Sequence, residues 1–392
     1  MVRMRVIIIA PLFFNDNIND NMNCTTSFVS VLFSLTLQAG SFHPSFVDEC
    51  AGGLPMALQK QDGGIHPILC GEISRRCFAS LAVNATPVRK EADTLFTSTY
   101  NFIQTAGIHD GASHCAKILS VFYDNLDHND PEVIIKIKIS NAFNCTCRAL
   151  MLDVLSGRAS RDYASGLKQG DAIATSKTLS NLLGYFRAMR TCHANLQYFD
   201  WHGQVHLAKG KTGGQQGDPL EMLIFSLSIH YLWGKFPEAR AIAYADDGYI
   251  KAKLSVALQV LANLKRVLKE DAGLQLSISK TAVLHKGVSQ QAAFNAAQTI
   301  IYASPTLAHL SADVLLASFC PEGFVGVGVT IGTDVFVRNI VAKTCRAIID
   351  DVEKLDAIQD GFIHYQLLRF CQATRLQYIN SHILLGNRCT LQ

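Results

Sequence analysis

Apolar β-branched residues dominate the segment 133–139, which predicts a strand because valine and isoleucine pack well on a pleated sheet. Residues two apart lie on the same face of a strand, so Lys136 and Lys138 are predicted to share one face. Two further apolar runs, 240–244 and 248–253, flank a polar turn and predict a β-hairpin. The pattern therefore indicates a sheet with charged residues at a few selected positions.

Helical spacing of leucines predicts a helix over residues 255–272, with Ser255 as its N-cap and Gly273 directly after its end. A second, apolar helix is predicted over 219–236, where Pro219 fits the first turn. Two C-terminal segments are also predicted to be mainly helical, at residues 338–358 and 360–385. Strands and helices in this mixed order predict an α+β fold.

Composition is that of an ordered protein with a sizeable core. The chain has 392 residues, of which 49% are hydrophobic and 17% are charged, and this balance excludes wholesale disorder. The formal net charge is only +3, so binding to nucleic acid would have to come from local patches. The 12 cysteines lack paired spacing, which favours reduced, packed thiols over a zinc site or a disulfide framework.

Residues 1–45 are interpreted as a poorly defined leader. Basic residues precede the short apolar run 6–14 and imitate a signal peptide, but no small-residue cleavage site follows cleanly. A second apolar run, 28–37, is too short to span a bilayer. The sequence therefore predicts an intracellular protein without a membrane partner.

Asp246 and Asp247 stand side by side at the tip of the predicted hairpin. Like charges a few ångströms apart repel each other unless a cation lies between them. A divalent metal is the usual cation at such a pair, and hard oxygen ligands suit Mg²⁺ or Mn²⁺. The alternative is a solvated Asp-Asp-Gly turn, which is common between strands. Taken alone, the pair favours the turn.

Six segments in a fixed order change that balance. In chain order they are Lys60–Ile68, Ser140–Asn144 followed by Arg148, Gly214–Leu220, Tyr-Ala-Asp-Asp at 244–247, Gly273–Leu276 leading to Lys280, and Gly328–Gly332. Together they resemble the reverse transcriptase domain of a non-LTR retrotransposon. The resemblance implies a right-hand polymerase fold with fingers, palm and thumb, and with an antiparallel palm sheet.

The resemblance also implies a division of the chain after the leader. Residues 46–130 would be fingers-like, and residues 131–335 would form the palm with inserted fingers helices. Residues 336–392 would form a helical region that resembles a thumb or a connection. Whether this region is truncated is left open. The implied activity is template-directed DNA synthesis, with an RNA or DNA template, a primer and deoxynucleoside triphosphates as partners.

In such an enzyme two metal ions stabilise the attacking and leaving oxygens of an in-line phosphoryl transfer. By resemblance, Asp246 and Asp247 would be catalytic and would bind Mg²⁺ or Mn²⁺. Lys280 would lie near the leaving pyrophosphate, although a lone lysine is more often a surface residue. The glycine-rich turn at 328–332 resembles the segment that positions the primer end.

Substrate contacts follow from the same resemblance. Lys60 would grip the triphosphate, together with His66, which replaces an arginine of the family and lacks its fixed charge. The alternative for His66 is a plain edge-strand residue. Arg75 and Arg76 could contribute phosphate contacts instead, although paired arginines on a helix usually form a solvated face.

Phe143 matches an aromatic gate that would lie beneath the sugar of the nucleotide, and its alternative is an ordinary core aromatic. Gln216 and Gly217 match the segment that lies against the incoming nucleotide and the template base, and glycine there allows close backbone approach. The alternative is a glycine-rich turn before a helix, with Asp218 as the N-cap.

Three departures from the family pattern predict impaired catalysis: Lys138, His66 and Met222. Lys138 is the most serious, because it replaces the first metal-binding aspartate, and its ammonium could pair with Asp246 and take the place of the metal. The sequence therefore leaves several hypotheses open. They are an impaired polymerase, a catalytically inactive module that binds nucleic acid, a pseudogene product that folds poorly, and an unrelated α+β protein with chance motifs.

Overall fold

The structure is a computed structural model of the chain. It describes residues 51–59, 65–98, 101–127, 131–190, 194–199, 202–233, 236–307, 310 and 318–383. No helix within these ranges is long and apolar enough to cross a membrane. The cysteines that the structure describes are free thiols: Cys70, Cys77, Cys115, Cys145, Cys147, Cys320, Cys345 and Cys371. Cys115 is buried as predicted for a packed thiol, whereas Cys77 and Cys371 are exposed.

Strands and helices alternate along the chain, and this order confirms the predicted α+β class. The strands are β1 (Gly53–Gln59), β2 (Ile65–Gly71), β3 (Phe102–Gln104), β4 (Glu132–Ser140), β5 (Ala194–Phe199), β6 (Val205–Gly210), β7 (Arg240–Tyr244), β8 (Asp247–Lys253), β9 (Gln275–Leu276), β10 (Ala282–Leu284), β11 (Gly323–Gly326) and β12 (Val329–Gly332). The helices are α1 (Ile73–Asn84), α2 (Thr86–Thr97), α3 (Gly111–Asp124), α4 (Ala142–Cys145), α5 (Arg148–Ser156), α6 (Lys177–Ser180), α7 (Leu183–Arg190), α8 (Glu221–Trp233), α9 (Leu254–Ala272), α10 (Gln290–Ala303), α11 (Asp334–Leu355), α12 (Gly361–Leu367) and α13 (Ala373–Ile383). Short 3₁₀ turns lie at Ile278–Lys280 and Pro305–Leu307, and a π-helical turn at Leu368–Gln372 joins α12 to α13.

The chain divides into two compact units. The first unit contains the described parts of residues 1–91, 148–160 and 169–221. Its sheet has the strand order β2-β1-β5-β6. Strands β1 and β2 pair antiparallel from Gly53 opposite Gly71 to Gln59 opposite Ile65. Residues 60–64, which join these strands, lie outside the described residues.

The second unit contains the described parts of residues 92–147, 161–168 and 222–392. Its main sheet has the strand order β10-β4-β8-β7-β3, and β9 also pairs with β4. The pairings are antiparallel except between β3 and β7, which are parallel. Strands β11 and β12 form a separate antiparallel hairpin. Most of the segment interpreted as a turn at 328–332 is strand β12, and the turn itself lies at Val327 and Gly328.

One hydrophobic cluster holds the second unit together. Helix α3 contributes Leu119 and Phe122, which are buried with Ile134 of β4. The ring of Tyr249 on β8 stacks on Phe324 of β11, with ring centroids 6.0 Å apart. Burial of this apolar surface removes it from water and fixes α3 and the β11–β12 hairpin against the main sheet.

The ends of two helices test the capping predictions. Helix α9 ends as predicted, because Gly273 adopts a left-handed conformation with φ of 69°. The prediction of Ser255 as its N-cap is wrong: the helix begins at Leu254, and Lys253 holds the N-cap position without a side-chain hydrogen bond. Helix α8 begins at Glu221, two residues later than predicted, after a turn in which Asp218 Oδ1 accepts from the Leu220 amide at 3.0 Å.

Candidate functional site at the β7–β8 hairpin

The hairpin tip is placed by backbone pairing on both sides. On one side Tyr244 lies opposite Asp247, which leaves Ala245 and Asp246 as the turn. On the other side Lys138 of β4 lies opposite Asp247. The Ile139 amide also donates to the Asp246 carbonyl at 3.0 Å, so β4 holds the turn itself. This register brings Lys138 and the two aspartates together.

These three residues form an ion triad. Lys138 Nζ lies 2.8 Å from Asp246 Oδ2 and 3.0 Å from Asp247 Oδ1. The side chains are 31%, 26% and 20% exposed, so solvent reaches the triad but screens it less than it would a surface pair. The predicted pair between Lys138 and Asp246 is present, and the second contact, with Asp247, was not foreseen from the sequence.

Charge balance within the triad is local. Burial lowers the pKa of Lys138, but the two carboxylates outweigh this effect and hold the pKa of the ammonium above its usual value. Burial also pushes the pKa of Asp247 upward against the opposing effect of Lys138. Because Lys138 contacts both carboxylates within 3.0 Å, it is protonated and acts as the counter-ion to both aspartates.

This arrangement does not fit Mg²⁺ or Mn²⁺. Both ions require several oxygen ligands, whereas an ammonium lies between the two carboxylates and repels a second cation. In the part of the chain that the structure describes, no group of three His, Cys, Asp or Glu side chains could hold a metal. Glu132 lies at the far end of β4, where it pairs with Lys251 at 3.0 Å, so it is no substitute ligand.

Two more lysines lie near Lys138, one on the same strand and one in the turn before β10. Lys136 is two residues from Lys138, and its Nζ donates to the Val325 carbonyl of β11 at 2.6 Å. Desolvation lowers the pKa of Lys136, Asp247 opposes this effect, and Lys138 and Lys280 lower it further. Lys280 is exposed at the end of its 3₁₀ turn. The two-residue period of β4 predicts that Lys136 and Lys138 share a face, but the contact of Lys136 with β11 is not evident from the sequence.

Phe143 lies in the short helix α4, in the same unit. Its ring is half-buried and packs against Phe225 of α8, with ring centroids 4.7 Å apart at 42°. Beside it, Asn144 Nδ2 donates to Asn141 Oδ1 at 2.8 Å. The contact with Phe225 gives the ring a packing role, and its role as a gate stays a prediction.

Gln216 and Gly217 lie in the first unit, where a loop binds strand β2. The Leu69 amide donates to the Gln216 carbonyl at 2.7 Å. Gly217 has a φ of 113°, and a Cβ atom there would lie 2.7 Å from the Leu69 carbonyl oxygen. Only glycine allows this approach, so close backbone contact is present, although its partner here is the protein itself.

The two predicted triphosphate contacts are the least defined. Lys60 lies outside the described residues. His66 lies in β2 opposite Leu58, and only its backbone is described. Both roles stay predictions, and neither residue adds to the site geometry.

Arg148 fixes the same loop from within the first unit. Its guanidinium donates to the carbonyls of Gly213 at 2.9 Å, Arg190 at 3.0 Å and Gly210 at 3.1 Å. The sequence marks Arg148 as part of a family segment but does not reveal these partners. It is therefore a residue that positions the loop before Gln216.

A buried ion cluster lies beside that loop. It consists of Arg75, Arg190, Asp218 and Glu221, whose side chains are 1–3% exposed. Arg190 Nη2 lies 2.8 Å from Glu221 Oε2 and 3.3 Å from Asp218 Oδ2, and Arg75 Nε lies 3.5 Å from Asp218 Oδ2. The suggestion that Arg75 contacts phosphate is wrong, because its guanidinium is buried and donates to the Ala51 carbonyl.

No protein-family model matches the chain, and no curated protein matches it. Among solved structures it is similar to apo telomerase from Candida tropicalis, with 12% identity, a TM-score of 0.42, and coverage of 62% of this chain and 46% of that chain. It is also similar to telomerase from Candida albicans in complex with a TWJ fragment of telomeric RNA, with 17% identity and a TM-score of 0.43. That match covers 61% of this chain and 43% of the other, so the chain spans less than half the length of either protein.

Proposed function

We propose that this chain is a reverse-transcriptase-like domain that binds nucleic acid and does not carry out two-metal DNA synthesis. The six ordered sequence segments support the family assignment. The second unit supports it further, because the Asp-Asp turn joins β7 and β8, and β8 pairs with β4. We assign the strands β4, β7, β8, β9 and β10 of this sheet to a palm, within the proposed division into a fingers-like region (46–130), a palm (131–335) and a thumb-like or connection-like region (336–392). Strand β3 of the same sheet falls in the range of the fingers-like region.

The proposal that this chain does not carry out DNA synthesis rests on one observation. Lys138 Nζ contacts a carboxylate oxygen of Asp246 and one of Asp247 within 3.0 Å. A metal that bridged the same oxygens would meet a protonated amine at its own position. In the proposed site Asp246 and Asp247 therefore have an internal counter-ion, and the metal chemistry of the family has no ligand set here.

The remaining candidate residues belong to the binding function. The resemblance implies contacts with nucleic acid or its nucleotides for Phe143, Lys280, Lys60, His66 and Gln216. An RNA template with its primer strand is the ligand that the resemblance favours, inside the cell. Deoxynucleoside triphosphates would bind weakly, because their metal partner has no site.

Primer extension on an RNA template tests the proposal. Wild type, Lys138→Asp and Asp246→Ala would be compared in Mg²⁺ and in Mn²⁺, with binding of the same RNA measured in parallel. We expect wild type to bind RNA without extending the primer. Extension only by Lys138→Asp would show a complete hand that is disabled at one ligand.

Two results would contradict the proposal. Extension by wild type at a rate that Asp246→Ala cannot match would show that the two aspartates suffice for catalysis. Absence of RNA binding by every variant would remove the binding function. If no variant binds RNA, thermal or urea unfolding would show whether the chain folds at all. A cooperative transition would indicate a folded protein without the proposed function, and its absence would indicate a chain that folds poorly.

A further inference from the structure

We propose that Lys136, Lys138 and Lys280 form a site for the phosphodiester backbone of nucleic acid that needs no divalent metal. This inference rests on the proposed function and names the chemistry of its ligand. It goes beyond the loss of synthesis, because it assigns a positive role to the lysine that displaces the metal. It also gives Lys136 a role that no sequence motif suggested.

Backbone geometry brings the three lysines together. Lys136 and Lys138 are two residues apart on β4, so they share a face and are separated by about 7 Å along the strand. Lys280 comes from the segment that leads into β10. The Ser277 amide, three residues before Lys280, donates to the Lys138 carbonyl at 2.8 Å. Two residues after Lys280, Ala282 lies opposite Lys136 in the β10–β4 pairing.

The charges at this end of the sheet favour an anion. Lys138 contacts Asp246 and Asp247, and Lys136 interacts electrostatically with Asp247, Lys138 and Lys280. Counted together, the three ammonium groups and two carboxylates leave an excess of one positive charge. In a site built from aspartates a metal must first neutralise the protein before phosphate can approach. Here Lys138 already neutralises the pair from inside the fold, so phosphate meets lysines directly.

The hydrogen-bond donors also fit a phosphate group. A lysine ammonium has three N–H donors. The two carboxylate contacts of Lys138 use two of its donors, and the Val325 carbonyl uses one donor of Lys136. The side chain of Lys138 is 31% exposed and that of Lys280 is exposed, so a ligand in solvent can reach them. Lysine acts as a point charge toward phosphate, which suits a backbone contact without base specificity.

Binding of a fluorescein-labelled single-stranded RNA, measured by anisotropy in EDTA and in Mg²⁺, tests the site. The variants are Lys280→Gln, Lys138→Asp and the control Lys253→Gln. Lys253 is exposed at the opposite end of β8, so its replacement makes the same charge change away from the site. Thermal unfolding of each variant would confirm that it folds.

We expect wild type to bind RNA with the same Kd in EDTA and in Mg²⁺. Lys280→Gln should bind about fivefold more weakly at about 0.1 M salt, the contribution of one phosphate contact to a single strand. Lys138→Asp changes two charge units and should bind about twentyfold more weakly in EDTA. Lys253→Gln should bind like wild type.

Three outcomes separate this inference from the proposed function. Binding that requires Mg²⁺ would overturn the metal-free site while keeping nucleic-acid binding. Equal effects of Lys280→Gln and Lys253→Gln would show that RNA binds elsewhere on the chain. Absence of binding by wild type in either buffer would instead remove the proposed function, and the inference with it.

Discussion

The two units each contain a cluster of opposite charges, and the clusters differ mainly in their exposure to solvent. The buried ion cluster of the first unit joins two arginines to two carboxylates, with side chains only 1–3% exposed. The ion triad of the second unit joins one lysine to two carboxylates, with side chains 20–31% exposed. Arginine, with its fixed planar donors, occupies the buried ion cluster, and lysine occupies the partly exposed ion triad.

This difference indicates two different roles. A fully buried charge cannot exchange its partner for water or a ligand, and removing one partner leaves an uncompensated charge in the interior. A partly exposed triad loses less when it is disturbed, because solvent can replace a partner. We therefore assign stability of the Gln216 loop to the buried ion cluster, and ligand binding to the ion triad.

Among the predicted changes in the free energy of unfolding, the largest should come from breaking the buried ion cluster. Arg75→Met removes one cation from Asp218 and should lower the free energy of unfolding by about 3 to 5 kcal/mol. Arg76→Met is the matched control, because Arg76 is the next residue and is exposed. Its replacement should change stability by less than about 0.5 kcal/mol in the same urea titration. Equal effects of the two substitutions would contradict the assignment.

His230 sharpens the comparison, since it is buried and forms no ion pair with the residues that the structure describes. Its ring lies 5.4 Å from Phe96 and 5.2 Å from Phe102, and burial lowers its pKa to about 4 from 6.5. The unfolded chain binds the proton more readily, so this contribution to stability is complete above pH 6.5. It should be lost as the pH falls toward about 4, with a total loss of about 3 kcal/mol.

Urea titrations of wild type and His230→Phe between these pH values would measure that loss. Phenylalanine keeps an aromatic ring in the cluster and removes the titrating group. We expect the pH slope of wild type to flatten in the variant. The same slope in both proteins would assign the acid sensitivity to other groups.

The smallest effect on stability is expected at the β11–β12 hairpin, for a hydrogen bond between two uncharged groups. Tyr378 of α13 donates its hydroxyl proton to the Val327 carbonyl at 2.6 Å, and its ring lies 3.2 Å from the position of a Cβ atom on Gly328. Tyr378→Phe keeps the ring and should cost about 1 kcal/mol. Tyr365→Phe removes an exposed hydroxyl from α12 and should be neutral in the same assay.

Local features of this fold were predictable, and long-range ones were not. Strand β4, the β7–β8 hairpin and the end of α9 at Gly273 follow from nearby residues, because propensity and turn chemistry are local. The start of α9 was missed because Ser255 could cap a helix, whereas the chain leaves β8 directly into the helix at Leu254.

The candidate site divides in the same way. The Lys138–Asp246 pair could be predicted only from the resemblance, in which Lys138 stands at the position of a metal-binding aspartate near Asp246. The residues alone do not show that these two positions meet. The contacts of Arg75 and Arg148 could not, because no local pattern distinguishes a buried arginine from an exposed one. The contact between Lys136 and Val325 likewise joins residues that are far apart in the chain.

Binding of Mn²⁺ tests most directly the claim that Lys138 takes the place of a metal at Asp246 and Asp247. Electron paramagnetic resonance would measure free Mn²⁺ during titration of wild type, Asp246→Ala and Lys138→Asp. We expect wild type and Asp246→Ala to leave the same amount of Mn²⁺ free, and Lys138→Asp to bind the ion. Stoichiometric binding by wild type that disappears in Asp246→Ala would contradict the account.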